Sequence, residues 1–275
     1  MADISASDVK KLRDITGAGM MDCKKALMES NGDFDQATEL IRKKGQAVAN
    51  KRAEREATEG AVLAKVTADG TYGAVIVLNS ETDFVSKNEG FVNFAYSILD
   101  LALEKDPSSL DELKEQEMDG EKVSDRITQQ IGIIGEKIDV SFYEKLKAPQ
   151  VVAYIHPGNK LATLVGLNKK TDPQVGKDVA MQVAAMNPVA VDKDDIPQSV
   201  IDKEIEIGKE QARLEGKPEA ILEKIAMGKL NKFYKENTLL NQDFTKDNKK
   251  TVKQYLEETD KELTVTGFVR CTVGS

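Results

Sequence analysis

At 275 residues, 40% hydrophobic and 31% charged, the chain can bury one large core or two to three smaller ones. A net charge of −8 and the lack of tryptophan weigh against nucleic acid as the main ligand, because a polyanion needs a cationic surface. No apolar run nears the roughly 18 residues of a membrane span, and the opening MADISASDVKKL has the features of neither a signal nor a transit peptide. A cytoplasmic protein with no membrane partner is expected, and Cys23 and Cys271, at opposite ends of the chain, fit reduced thiols there.

The predicted elements begin with three short helices. Ser5 and Asp8 have capping-box spacing before a helix that carries Val9, Leu12 and Ile15 on one face. TGAG breaks it, MMDCKKALMES forms the second helix, and Asn31-Gly32 stops that one. Asp33 then caps a third helix, with Gly45 as its expected terminator. The basic run from Arg42 to Arg55 reads as a solvated helix or linker face. Residues 1–54 therefore predict a three-helix module with its connector.

From Gly60 the pattern changes to strands. AVLAKVT and AVIVLN predict a hairpin with Asp69-Gly70 at its tip. A helix over EGFVNFAYSILDLAL, a polar helical stretch to about Gly135 and a strand around KIDVSFY complete a unit over 55–146. The plan then recurs. Shifting the sequence on itself so that Val62 lies over Val151 also places Leu78-Asn79 over Leu167-Asn168 and Thr82-Asp83 over Thr171-Asp172, without a gap. The fold class expected is α+β, with two related subdomains side by side.

The second subdomain, 147–193 and 237–275, is interrupted by a helical hairpin over 194–236. Ile201, Ile205, Gly208 and Ala212 make one seam, and Leu222, Ala226, Leu230 and Phe233 the other. EGKPE turns the chain between them.

Groups that perform covalent chemistry are scarce. His156 is the only histidine, which removes two-histidine metal sites and most histidine acid-base schemes. GAGMMDCKK lacks the spacing of a phosphate loop or a dinucleotide fingerprint. Carboxylates are scattered over polar faces. No enzyme, cofactor or metal is expected.

Phe84 stands out in NSETDFVSKNEGF. By the internal repeat Asp83 is an N-cap and Phe84 the first helical residue, where the second copy has Asp172 and Pro173. The architecture does not itself demand a large apolar group at that position. Two readings stay open: Phe84 folds back onto Phe91 or Phe94, or it is offered to a partner.

LRDITGAGMMDCKKAL and TDFV together resemble the signature segments of the elongation factor Ts family, and the likeness spans essentially the whole chain. The resemblance implies a ubiquitin-associated-like N-terminal module and a guanine nucleotide exchange factor whose partner is elongation factor Tu. It implies that Phe84 wedges between helices of the partner's nucleotide-binding domain, disturbing its Mg²⁺ site so that GDP leaves. Asp83 would be the polar companion of Phe84, with Thr82 and Val85 shaping the turn. Arg13, Met20 and Met21 match the family's contact positions on the N-terminal module, the alternative for both methionines being the module's own core. His156 matches a loop near the partner's C-terminal β-barrel. A homodimer through the hairpin is a further expectation, as is loss of the C-terminal helix that some members carry, since the sequence stops at Ser275. The competing classes are a protein-binding module acting through the N-terminal helices alone, and an unrecognised enzyme.

Overall fold

In the computed structural model, which describes residues 4–274, the N-terminal module consists of α1 (Ala6–Thr16), α2 (Met20–Glu29) and α3 (Phe34–Arg52). Ser5 and Asp8 form the reciprocal capping box, and Asp33 accepts the Gln36 amide at the start of α3. Val9, Leu12, Ala18, Cys23, Ala26, Leu27 and Ala37 close a small core. Gly45 does not end α3. The helix continues through the basic run to Arg52, with Gly45 buried inside it.

β1 (Glu59–Val66) and β2 (Tyr72–Ser80) form the expected hairpin, with Gly70 at φ 73° in its turn. A single helical turn, α4 (Asp83–Ser86), and the long α5 (Glu89–Lys105) follow. The polar stretch expected to be helical is broken in the middle. It forms α6 (Leu110–Glu115), a ribbon of β3 (Glu117–Met118) and β4 (Glu121–Lys122), and α7 (Val123–Ile134). Asp119 and Gly120, both at positive φ, make the ribbon's turn, a conformation that stops a helix.

α7 explains Gly45. The two helices cross there, and a Cβ on Gly132 of α7 would lie 2.5 Å from the Gly45 Cα. Glycine is needed at 132 for the backbones to meet, whereas a Cβ on Gly45 would come only to 3.6 Å from the Thr128 carbonyl and 3.7 Å from the Gly132 Cα, an ordinary contact. The residue read as a terminator is a crossing point that docks the N-terminal module onto the rest of the chain.

β5 (Asp139–Lys147) completes an antiparallel sheet of order β1-β2-β5. β2 is buried on both faces, and its residues alternate as a strand's must. Ala74, Ile76 and Leu78 join a core with α5 and α7, whereas Val75 and Val77 face a second sheet.

That second sheet contains β6 (Gln150–Ile155), β7 (Leu161–Leu167) and β10 (Val265–Thr272) in the order β10-β7-β6. It repeats the first in register as well as in order. Val62 pairs with Val77 and Val151 with Gly166; Val66 pairs with Gly73 and Ile155 with Ala162. The outer strands repeat too. β5 skips Ser141 opposite Val77 and Leu78, and β10 skips Thr266 opposite Gly166 and Leu167, so each copy carries a bulge at the same place.

The two copies grip each other reciprocally. The Val62 N–H donates to the Asn159 carbonyl at 2.8 Å, and the Val151 N–H donates to the Gly70 carbonyl at 2.7 Å. Val62 is equivalent to Val151, and Gly70 to Asn159, so these two bonds are related by an approximate two-fold axis. Val62, Ala64, Val75 and Val77 of one sheet pack with Val151, Ala162, Leu164 and Cys271 of the other.

Outside the second sheet lie α8 (Pro173–Met186), the ribbon β8 (Asp243–Phe244) and β9 (Asp247–Thr251), and α11 (Val252–Thr259). The inserted hairpin is α9 (Gln198–Leu214) and α10 (Glu219–Asn237). Gly208, Ala212, Leu222, Ala226 and Leu230 form its buried seam, with Ile201, Ile205 and Phe233 half-buried beside them. At its foot the chain enters and leaves along one path. Val189 donates to Asn237, and Leu239 and Leu240 donate to Ala190 and Val191.

Candidate functional site

The turn after β2 is built from its backbone outward. Ser80 leaves the strand and its hydroxyl donates to the Thr82 carbonyl at 2.9 Å. Thr82 is extended and is the N-cap, so α4 starts at Asp83 and Phe84 is its second residue. The expected assignment of Asp83 as cap and Phe84 as first helical residue is thus one position late. Thr82 sends its amide and its hydroxyl to Glu136, at 3.0 and 2.7 Å. The Asp83 carboxylate, not used as a cap, takes Lys87 one turn on at 2.6 Å, and that bond holds it below the usual carboxylate range.

The side chains then divide. Phe84 is 84% exposed. Val85 packs against the core cluster that contains Phe91 and Phe94, the place to which one of the two open readings folded Phe84 back. Ser86 is buried; its hydroxyl lies 3.2 Å from the Asp83 carbonyl and receives the Lys160 ammonium at 3.1 Å. Lys160 comes from the β6–β7 turn and also bonds Glu59 at 2.5 Å and the Gly60 carbonyl at 3.0 Å.

His156 sits exposed in that same β6–β7 turn, its Nδ1 3.0 Å from the Tyr154 hydroxyl. The fold therefore ties the Thr82–Val85 turn to the His156 turn through Lys160. Arg13, Met20 and Met21 lie on the surface of the N-terminal module, and Ile15 and Met28 are exposed there too. Neither methionine is in the module's core. The module reaches the Phe84 turn through α3, whose Arg52 donates to Glu81 at 2.9 and 3.1 Å.

Arg52, Glu81, Glu136 and Lys160 were not legible as site residues in the sequence. Thr82 and Glu136 lie far apart along the chain, and no local pattern joins them. The basic run is also more than a solvated face, since Lys44 pairs with Asp22, Arg42 with Glu121 and Arg52 with Glu81. Among the described residues no group of His, Cys, Asp and Glu is placed to hold a metal ion, and no helix is long and apolar enough to cross a membrane.

A family model described as elongation factor TS matches residues 81–275. The chain is 55% identical over 275 residues to elongation factor Ts of Amoebophilus asiaticus, covering 99% of both proteins. It is 51% identical over 276 residues to that of Christiangramia forsetii, covering 100% of both, and 50% identical over 273 residues to that of Porphyromonas gingivalis, covering 99% of both.

Proposed function

Because this chain belongs to the elongation factor Ts family, we propose that it is a translation elongation factor that binds elongation factor Tu and promotes the release of GDP. In this reading it acts in the cytoplasm, engages both the GDP-bound and the nucleotide-free partner, and makes or breaks no covalent bond. Phe84 enters between helices of the partner's nucleotide-binding domain and disturbs its Mg²⁺ and phosphate site. Asp83 accompanies it, Thr82 and Val85 hold the turn, Arg13, Met20 and Met21 dock the N-terminal module, and His156 meets the partner's β-barrel. The unbranched thioethers of the exposed methionines suit an irregular surface.

The observation that carries this reading is the contrast at α4, where an 84% exposed Phe84 stands on a turn bonded from three directions: the Thr82 amide donates to Glu136, the Lys137 amide to the Glu81 carboxylate and Lys160 to the Ser86 hydroxyl. A core-packed Phe84 would have favoured a module acting through its N-terminal helices alone. Linkage adds a requirement: the factor by which the protein weakens GDP binding is the factor by which GDP weakens binding of the protein. Release of a fluorescent GDP from purified elongation factor Tu tests the proposal. Acceleration by catalytic amounts of the protein is expected, and an unchanged off-rate contradicts it.

A further inference from the structure

Behind Phe84 lies a hydrogen-bond arrangement that packing alone does not require. Glu81 accepts the backbone N–H of Lys137 at 2.7 Å, and Glu136 accepts the backbone N–H of Thr82 at 3.0 Å. Each segment supplies a glutamate and then an amide, and each glutamate takes the amide that follows the other. Both clasps are reinforced: Glu136 also accepts the Thr82 hydroxyl, and Glu81 also accepts Arg52 from the end of α3. The Lys137 ammonium donates to the carbonyls of Ala53 and Arg55 at 2.9 and 2.8 Å, so the same clasp holds the chain that leaves α3.

We propose that Glu136 and Glu81 are positioning residues for nucleotide release, fixing where Phe84 points relative to α7, α3 and the N-terminal module. The proposal rests on the role of Phe84 given above. A helix of four residues is too short to hold its own direction, and an exposed side chain has no packing to aim it. Mispositioning of about 1 Å can cost roughly a hundred-fold where a fixed geometry must be met. The second copy makes the comparison. Thr171, the counterpart of Thr82, gives its amide to Gln150 on β6, at 2.6 Å, and is followed by an Asp-Pro helix start with no exposed aromatic. The carboxylate clasp that reaches across to another segment belongs to the copy that bears Phe84.

The test is a set of GDP-release rates on elongation factor Tu for Glu136→Ala, Glu136→Gln, Phe84→Ala and the double variant Phe84→Ala/Glu136→Ala, with a melting curve for each. Glu136→Gln keeps the side-chain volume and one acceptor oxygen, so it reports on the clasp even where the alanine variant unfolds. Glu136→Ala is expected to slow release about ten-fold, Glu136→Gln less, and the Ala change is expected to add nothing once Phe84 is gone. Slow release by Phe84→Ala with wild-type release by both Glu136 variants overturns the positioning role and leaves the role of Phe84 intact. A Glu136→Ala effect that persists in full without Phe84 also overturns it. Wild-type release by Phe84→Ala overturns instead the reading of Phe84 on which the proposal rests.

Discussion

Phe84 and Val85 are adjacent apolar residues, and one helical turn sends the first outward and the second into the core. Sequence alone leaves that choice open, because a four-residue helix has no periodicity to read. The repeat supplied the better signal, with Pro173 in place of an aromatic after Asp172, the counterpart of Asp83. Elsewhere single residues are held by networks that pattern does not reveal. Asp178 is buried, and burial alone would raise its carboxyl. Donation from Lys246 at 2.5 Å, Gln174 at 2.6 Å and Tyr255 at 2.9 Å outweighs that and pulls it below the ordinary 3.8. Burial, then the bond to Asp178, pushes the Tyr255 phenol up to about 12. The sign for Asp178 follows from its depressed value: its contribution is present above pH 3.8 and is lost as the pH falls through the lower folded value. Asp178→Asn should lower the melting temperature at neutral pH and flatten its decline below pH 3.8. Melting curves across that range check this; an acid limb as steep as that of the natural protein would contradict it.

Among the elements, those with strong local signals were the legible ones: the capped helices of the N-terminal module, the β1–β2 hairpin, the Asp172-Pro173 start of α8 and the arms of the insertion. Gly45 was misread because a glycine in a helix can mark an end or a close crossing, and only the partner helix decides which. Gly132→Ala puts a methyl 2.5 Å from the Gly45 Cα, so the helices must separate. A loss of about 1–3 kcal/mol in denaturant unfolding is expected, together with weaker acceleration of GDP release as the N-terminal module shifts. A fully stable variant would show that the crossing has slack. The hairpin makes the opposite case. Its seam is its own, its arms of 17 and 19 residues extend about 27 Å, and its two feet are bonded side by side at Val189–Asn237. Val200, Ile207 and Leu214 lie exposed at seven-residue intervals on α9, in keeping with the expectation that the hairpin joins two copies. Replacing 194–236 by a short glycine linker should leave a folded protein that still accelerates GDP release and that runs smaller by light scattering. A folded deletion variant without exchange would contradict this division.

For the whole molecule, the duplication was legible over one hairpin and the turn after it, and the structure extends it to the outer strands, the bulges and the two-fold pair of bonds at Val62 and Val151. One consequence concerns the site. The approximate symmetry brings the β6–β7 turn of the second copy, with His156 and Lys160, against the α4 turn of the first. A site assembled from α3, α4, the residues after α7 and the β6–β7 turn is invisible to local pattern, since its bonds join residues 29 to 101 positions apart. Energetics favours such an assembly. Driving a partner from almost wholly nucleotide-bound to almost wholly open takes about 5.5 kcal/mol of differential binding, while burying one Phe supplies roughly 1.5–3 kcal/mol. In the proposed function the remainder comes from contacts of the N-terminal module and the second subdomain, to which the hydrogen-bonded turn ties Phe84. Phe84→Ala, with its melting curve and GDP-release rate taken on one preparation, is the most direct test. The account predicts stability within about 0.5 kcal/mol of the natural protein and release slowed about ten- to a hundred-fold. A loss of roughly 3–5 kcal/mol in stability, the signature of a core aromatic, or a stable variant with unchanged release, would contradict it.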